Sequence, residues 1–376
     1  MKRLIKAVAV VLLSVFILTS LTGCSMVLEY LENNGQVEVI DPEEVPVTHN
    51  SEPKDVDVTE PNDTPSPVPT EPPTPTPSPV PTEPSTPTPS PVPTPTSTPE
   101  LPKSFLFGGV EVWAGQTAVS VTGKKNDIIR ITPEEMDMLI RLCPNLTSLE
   151  LDYCCMPDYS RIGELTKLKH LMISTTTHEK DYGIPLVDID WMASLKDLRT
   201  LYLAYNKIDD IRVLSELTKL EELNLGWNDI SDSDLDYLTG LPLRKLYLYC
   251  NESLRDVSAL SDISSLELLH IGGNRKLKFS GIKKLTALPN LKELDISYCP
   301  VEDFLWVQDF KRLETLRIEF SDFIDYYTYY DLKQCKTLQT IVISKEDTET
   351  EAALSDMIYL YRPDIELVYW EEYKSN

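Results

Sequence analysis

From Leu198 the chain reads Leu-Arg-Thr-Leu-Tyr-Leu-Ala-Tyr-Asn206, and 22 residues later the order returns as Leu220-Glu-Glu-Leu-Asn-Leu-Gly-Trp-Asn228. Apolar residues at alternate positions mark a strand with one buried face. The same opening recurs from Leu146, Leu168, Leu198, Leu220, Leu243, Leu266, Leu291, Leu313 and Leu338. Spacing is 22 to 25 residues, except where an insertion after Thr176 lengthens the second unit. A period of this length means a stack of supersecondary units sharing one core.

Eight residues after each start stand Cys154, Thr176, Asn206, Asn228, Asn251, Asn274, Cys299, Ser321 and Glu346. A small hydrogen-bonding side chain there satisfies backbone groups that no strand pairs. The first eight are the expected structural ladder, and Glu346 departs from it.

A stacked core needs a cover at each end. Val110–Trp113 and Ala118–Thr122 alternate like short strands. Thr132-Pro-Glu-Glu135 predicts a helix start with a capping box, and Pro144 predicts its stop. At the other end Thr350–Arg362 reads as an amphipathic helix and Ile365–Trp370 as a closing strand.

The Leu-x-x-Leu-x-Leu-x-x-Asn units resemble the leucine-rich repeat family from about Leu146 to Glu346. Their second halves, such as Ile208-Asp-Asp-Ile-Arg-Val-Leu214-Ser-Glu-Leu217, are most similar to the 22-residue class of bacterial internalins. The resemblance implies an α/β solenoid, a horseshoe with a concave parallel sheet and helical or 3-10 convex turns.

Upstream the pattern vanishes. Most of the 29 prolines fall between Pro61 and Pro102, and a twelve-residue Thr/Pro unit repeats from Thr64 to Pro99. This composition forms no core and favours a polyproline II rod. The rod would span on the order of 110 Å. The expectation is a disordered acidic and proline-rich stalk that holds the folded part away from a membrane.

The first residues supply the membrane. Three positive charges precede an apolar run from Ala7 to Leu18, followed by Leu21-Thr-Gly-Cys24. That order marks an export signal. Leu-Thr-Gly-Cys resembles the bacterial lipobox, which implies lipidation of Cys24 and an anchor on the outer side of the cell membrane. The expected organisation is therefore signal 1–24, stalk 25–103, N-terminal cap 104–145, repeats 146–346 and C-terminal cap 347–376.

A net charge of −25 argues against a nucleic-acid partner. Cys143, Cys154, Cys155, Cys250, Cys299 and Cys335 contain no CxxC pair, so no zinc site is expected. They read as mostly unpaired, with a local pair among Cys143, Cys154 and Cys155 the main exception. Cys154 and Cys299 stand six units apart, about 29 Å, far beyond disulfide reach. Asp232-Ser-Asp-Leu-Asp236 lacks the glycine and terminal glutamate of a calcium loop. No catalytic constellation is visible, and no cofactor is expected.

What remains are side chains the core does not need. The candidate ligand-binding set is Tyr202, Tyr205, Glu222, Trp227, Tyr247, Tyr249, His270, Asp295 and Tyr298. Exposed tyrosine and tryptophan give large contact area at low entropic cost. The competing account is that strands favour aromatics and these pack on one another. The expectation is a monomeric surface protein that binds an extracellular protein or peptide through an aromatic and acidic concave face. The alternatives are a carbohydrate or wall-binding module, or an adhesion or structural surface protein.

Overall fold

The computed structural model describes residues 101–124, 127–175, 185–319, 328–345 and 348–370. The export signal with Cys24, stalk residues 25–100, Thr176, Phe320, Ser321 and Glu346 lie outside them.

The leucine pattern becomes eleven parallel strands. The first is β3 (Ala118–Thr122), followed by β5 (Ser148–Asp152), β7 (His170–Ser174), β8 (Thr200–Tyr202) and β9 (Glu222–Asn224). Next come β10 (Lys245–Tyr247), β11 (Leu268–His270), β12 (Glu293–Asp295), β13 (Thr315–Arg317), β14 (Thr340–Ile343) and β15 (Glu366–Tyr369). Register is uniform: Leu201 faces Leu223, which faces Leu246, which faces Leu269. Each of these leucines is fully buried, which stabilises the fold by roughly 2 kcal/mol apiece. The described residues therefore form a leucine-rich repeat solenoid.

The convex return of most units is a 3-10 turn, as at Asp190–Ser194, Arg212–Glu216 and Leu305–Asp309. An aspartate starts many of them. The carboxylates of Asp158, Asp188, Asp210, Asp256 and Asp303 accept the backbone N–H two residues on, at 2.8 to 3.1 Å. Aspartate favours such turns because its side chain imitates a backbone acceptor. Ion pairs then link successive units along one flank, including Lys219 with Asp197 at 2.6 Å and Glu267 with both Arg244 and Lys292.

Both ends are covered. The N-terminal cap has an antiparallel hairpin, β1 (Ser104–Phe107) with β2 (Val110–Trp113), and a short pair, β4 (Ile129–Arg130) with β6 (Cys154–Cys155). Helix α1 (Pro133–Leu142) starts with the capping box: Glu135 N–H donates to Thr132 Oγ1 and Thr132 N–H to the Glu135 carboxylate. A short helix α2 (Phe279–Lys284) precedes the 3-10 turn Leu285–Ala287 in one repeat. At the far end α3 (Thr348–Tyr361) buries Ala353, Leu354 and Met357, and β15 closes the sheet. Arg362 donates to the carbonyls of Cys335 and Leu338, which ties this cap to the last repeat.

Candidate functional site: the concave face and its left-handed ledge

The inner row is built first, because it fixes everything beside it. Asn251 Nδ2 donates to the carbonyls of Leu225 and Leu248, both at 3.0 Å, and its Oδ1 accepts Ile230 N–H at 3.0 Å. Asn228 and Asn274 repeat this on their own neighbours. Asn206 donates to Ile173 and Leu203 carbonyls and accepts the Thr175 hydroxyl at 2.8 Å. Cys154 and Cys299 reach across with weaker sulfur donors, to Val121 and Ile271 carbonyls. Cys143, Cys154 and Cys155 are free thiols, so the local pair is not formed.

One residue before this row the backbone turns left-handed. Tyr153, Tyr205, Trp227, Cys250 and Tyr298 have φ between 50° and 62°, and Gly273 has 78°. Each still donates its N–H to the next strand, as Tyr205 does to Gly226 and Trp227 to Tyr249. The constraint is therefore imposed by the stack, unit after unit. A non-glycine residue in this region costs about 1 kcal/mol or more, and bulky side chains are disfavoured most. These aromatics form a ledge beyond the strands, so strand propensity does not account for them. Glycine at the equivalent position, Gly273, was the signal in the sequence.

The rings are arranged. Tyr205 and Trp227 stack with centroids 5.7 Å apart and planes within 14°. Tyr249 lies over Gly226, where an added Cβ would come within 2.3 Å of the ring. Tyr202 meets His170 edge-on at 5.6 Å, and Tyr247 meets His270 at 5.0 Å.

The acids of the face are engaged. The Tyr202 hydroxyl donates to Glu222, which also pairs with Lys245 at 3.2 Å. Burial and the Glu222 carboxylate hold the Tyr202 phenol above its usual range. His170 lies 3.1 Å from Glu150, and His270 2.9 Å from Glu293. The centre of the face is thus aromatic, with Glu222 paired to Lys245.

Two candidate binding residues are corrected. Asp295 is only 6% exposed and is taken up by Ser297 N–H at 2.9 Å and Arg317 at 3.6 Å. Tyr298 is 9% exposed and lies beneath the Arg275 guanidinium. Both are withdrawn by cations from adjacent repeats, which spacing within one repeat does not reveal. Tyr202, Tyr205, Glu222, Trp227, Tyr247, Tyr249 and His270 share the concave side, each half-buried.

Arg317 also pairs with Glu319 at 2.8 Å, and Trp370 covers its guanidinium at 3.4 Å. Burial pushes the Glu319 carboxyl above the ordinary carboxylate range, against the opposing pull of Arg317. A raised carboxyl contributes stability that is complete below its unfolded pKa and is lost as pH rises through the folded one. Glu319→Gln should therefore flatten the decline in melting temperature above about pH 4, read by thermal unfolding across a pH series. An unchanged slope would contradict this.

Among the described residues no group of three or more His, Cys, Asp or Glu side chains is placed to hold a metal ion.

Leucine-rich repeat family models match residues 184–230 and 287–303. The chain is 27% identical over 172 residues to an Arabidopsis thaliana homologue of protein phosphatase 1 regulatory inhibitor subunit PPP1R7, covering 45% of this chain and 51% of that protein. It is 33% identical over 89 residues to mouse leucine-rich repeat-containing protein 56, covering 24% and 15%. The chain thus spans about half, or less, of the length of these relatives. Among solved structures, Listeria monocytogenes internalin InlF aligns at TM-score 0.44 and 18% identity, over 67% of this chain and 86% of that one. Internalin C2 of the same organism aligns at 0.40 and 23%, over 61% and 80%. The two family matches and the parallel sheet agree on a leucine-rich repeat solenoid fold for the described residues.

Proposed function

We propose that this chain is an exported, lipid-anchored surface protein whose repeat domain binds a protein or peptide partner outside a bacterial cell. The observation that carries the reading is the ledge. Tyr205 and Trp227 sit in a backbone conformation that disfavours them, at positions where glycine also serves the fold. Strain of this kind is kept where a side chain is needed for something other than folding. The Arabidopsis relative is named as a homologue of a regulatory inhibitor subunit of protein phosphatase 1, a name in keeping with a protein partner. With no catalytic constellation in the sequence, the chain is read as a binding protein and not an enzyme.

Partner type follows from the rings. Tyr205 and Trp227 cover one face of each other, and Tyr249 covers Gly226. Stacking on sugars needs open ring faces, and each of these rings keeps at most one, which favours a protein partner over a glycan. The test is capture of surface proteins from neighbouring cells and host extracts by the intact domain. Substituting Tyr205, Trp227, Tyr247 and Tyr249 together should abolish capture. Glycan binding with no protein captured would overturn the reading.

The address rests on Leu21-Thr-Gly-Cys24 and the stalk that follows. Cys24→Ala should move the protein from the membrane fraction to the medium. Retention at the membrane would refute the anchor.

A further inference from the structure

The row that crosses the middle of the concave sheet runs Tyr202, Asn224, Tyr247 on β8, β9 and β10. Two strand spacings separate the tyrosines, about 9.6 Å. Asn224 does not fill the interval, because its side-chain oxygen turns down its own strand to accept Gly226 N–H at 2.9 Å. Each tyrosine is supported on its outer side by an imidazole, Tyr202 by His170 and Tyr247 by His270. The result is a slot with aromatic walls and an amide floor. At its rim Glu222 is neutralised by Lys245.

We propose that this slot seats an uncharged, proline-rich segment of a protein partner in polyproline II conformation. The inference rests on the concave face being the binding surface and specifies what enters it.

Three features select that occupant. Strands β8 to β10 are each paired on both sides, so an incoming chain finds no open edge to extend. It must bring a backbone that needs no ladder partner, and polyproline II has no internal hydrogen bonds and keeps its carbonyls solvated. Its turn of three residues advances about 9.3 Å, close to the tyrosine separation of about 9.6 Å. Residues i and i+3 of such a segment each meet one ring. Lastly, a neutral slot matches a neutral guest. A basic peptide would have to compete with Lys245 for Glu222. Proline on tyrosine is the contact by which aromatic-lined grooves generally hold such segments.

An N-acetylated decaproline peptide is the probe, titrated into the folded domain by calorimetry. A Gly-Ser peptide of equal length and a chito-oligosaccharide serve as comparisons. Saturable binding of decaproline below about 1 mM is expected, with neither comparison binding. Tyr202→Ser and Tyr247→Ser should each weaken it at least tenfold, and Tyr202→Phe should retain it, since the ring carries the contact. Tyr237→Ser, on a convex 3-10 turn, should leave it unchanged. No saturable binding, equal binding of the Gly-Ser peptide, or full affinity in both serine variants would overturn the proposal. If decaproline fails while protein capture still depends on Tyr205 and Trp227, this inference alone falls. If capture is also independent of the concave aromatics, the binding face falls with it.

Discussion

Asn251→Ala is expected to destabilise the domain by about 2 kcal/mol, a large share of the stability of a marginal fold. The side chain makes three strong contacts at once. It donates to the carbonyls of Leu225 and Leu248 and accepts Ile230 N–H, all in a fully buried row. Alanine leaves Ile230 N–H without its partner and takes one of two donors from each carbonyl, since Leu225 O also accepts from Asn228 and Leu248 O from Asn274. Each orphaned group costs roughly 1 to 3 kcal/mol. Asn251 is also locked to the next unit, since its own N–H donates to Asn274 Oδ1 at 2.7 Å. Alanine keeps that backbone bond, so the loss falls on the interface with the preceding unit, through Leu225 and Ile230, and a stack depends on its neighbour interfaces. Asn251→Asp should rescue little, because the carboxylate has no donors for the two carbonyls. The measurement is denaturant unfolding followed by circular dichroism. A loss under about 1 kcal/mol would mean that the ladder adds little to the stack.

The second large effect is the reverse in character. Replacing Tyr205 and Trp227 by asparagine should cut affinity for a captured partner by about 100-fold or more, while stability stays within about 1 kcal/mol of the parent. Asparagine tolerates the left-handed region, so the backbone gains about 1 kcal/mol at each site. Against this stand the ring stack, about 0.5 to 1.5 kcal/mol, and part of the buried ring area. These terms nearly cancel. Two half-buried aromatics that served the core would behave otherwise, and their loss would cost 3 kcal/mol or more. Parallel unfolding and binding measurements on the one double variant separate the two accounts. A large drop in stability would show that the ledge is structural.

Much of the fold was legible from Leu198 onward because a buried row must repeat wherever it occurs. One apolar residue out of register would flip its strand's buried face, so the pattern and the sheet share one period. The capping box at Thr132 and Glu135 was legible for a similar reason: both partners lie within one helical turn. The aspartates that start the convex turns were equally local, and their recurrence at Asp158, Asp188, Asp210, Asp256 and Asp303 was a signal the pattern reading passed over.

The candidate site was legible only in outline. Tyr202, Glu222, Tyr247 and His270 were legible because side-chain direction follows from strand alternation, whereas Tyr205, Trp227 and Tyr249 lie beyond the strand ends. Its electrostatics were not legible. An acidic groove was expected, but Glu222, Glu293 and Asp295 each meet a partner from the next strand: Lys245, His270 and Arg317. Those partners stand 22 or more residues away in sequence and about 5 Å away in space.

The sequence by itself determined the repeat, its length, the identity of the buried rows and the polar ladder, because each of these is set by burial within a single unit. Tertiary structure alone decided the backbone of the ledge. Tyrosine and tryptophan in isolation prefer extended conformations, and nothing local drives Tyr205 or Trp227 to positive φ. The stack does so, by requiring each chain to turn inward at the same height while its N–H still reaches the neighbouring strand. The tyrosines that began as residues left over from the core are, in the folded molecule, held against their own preference.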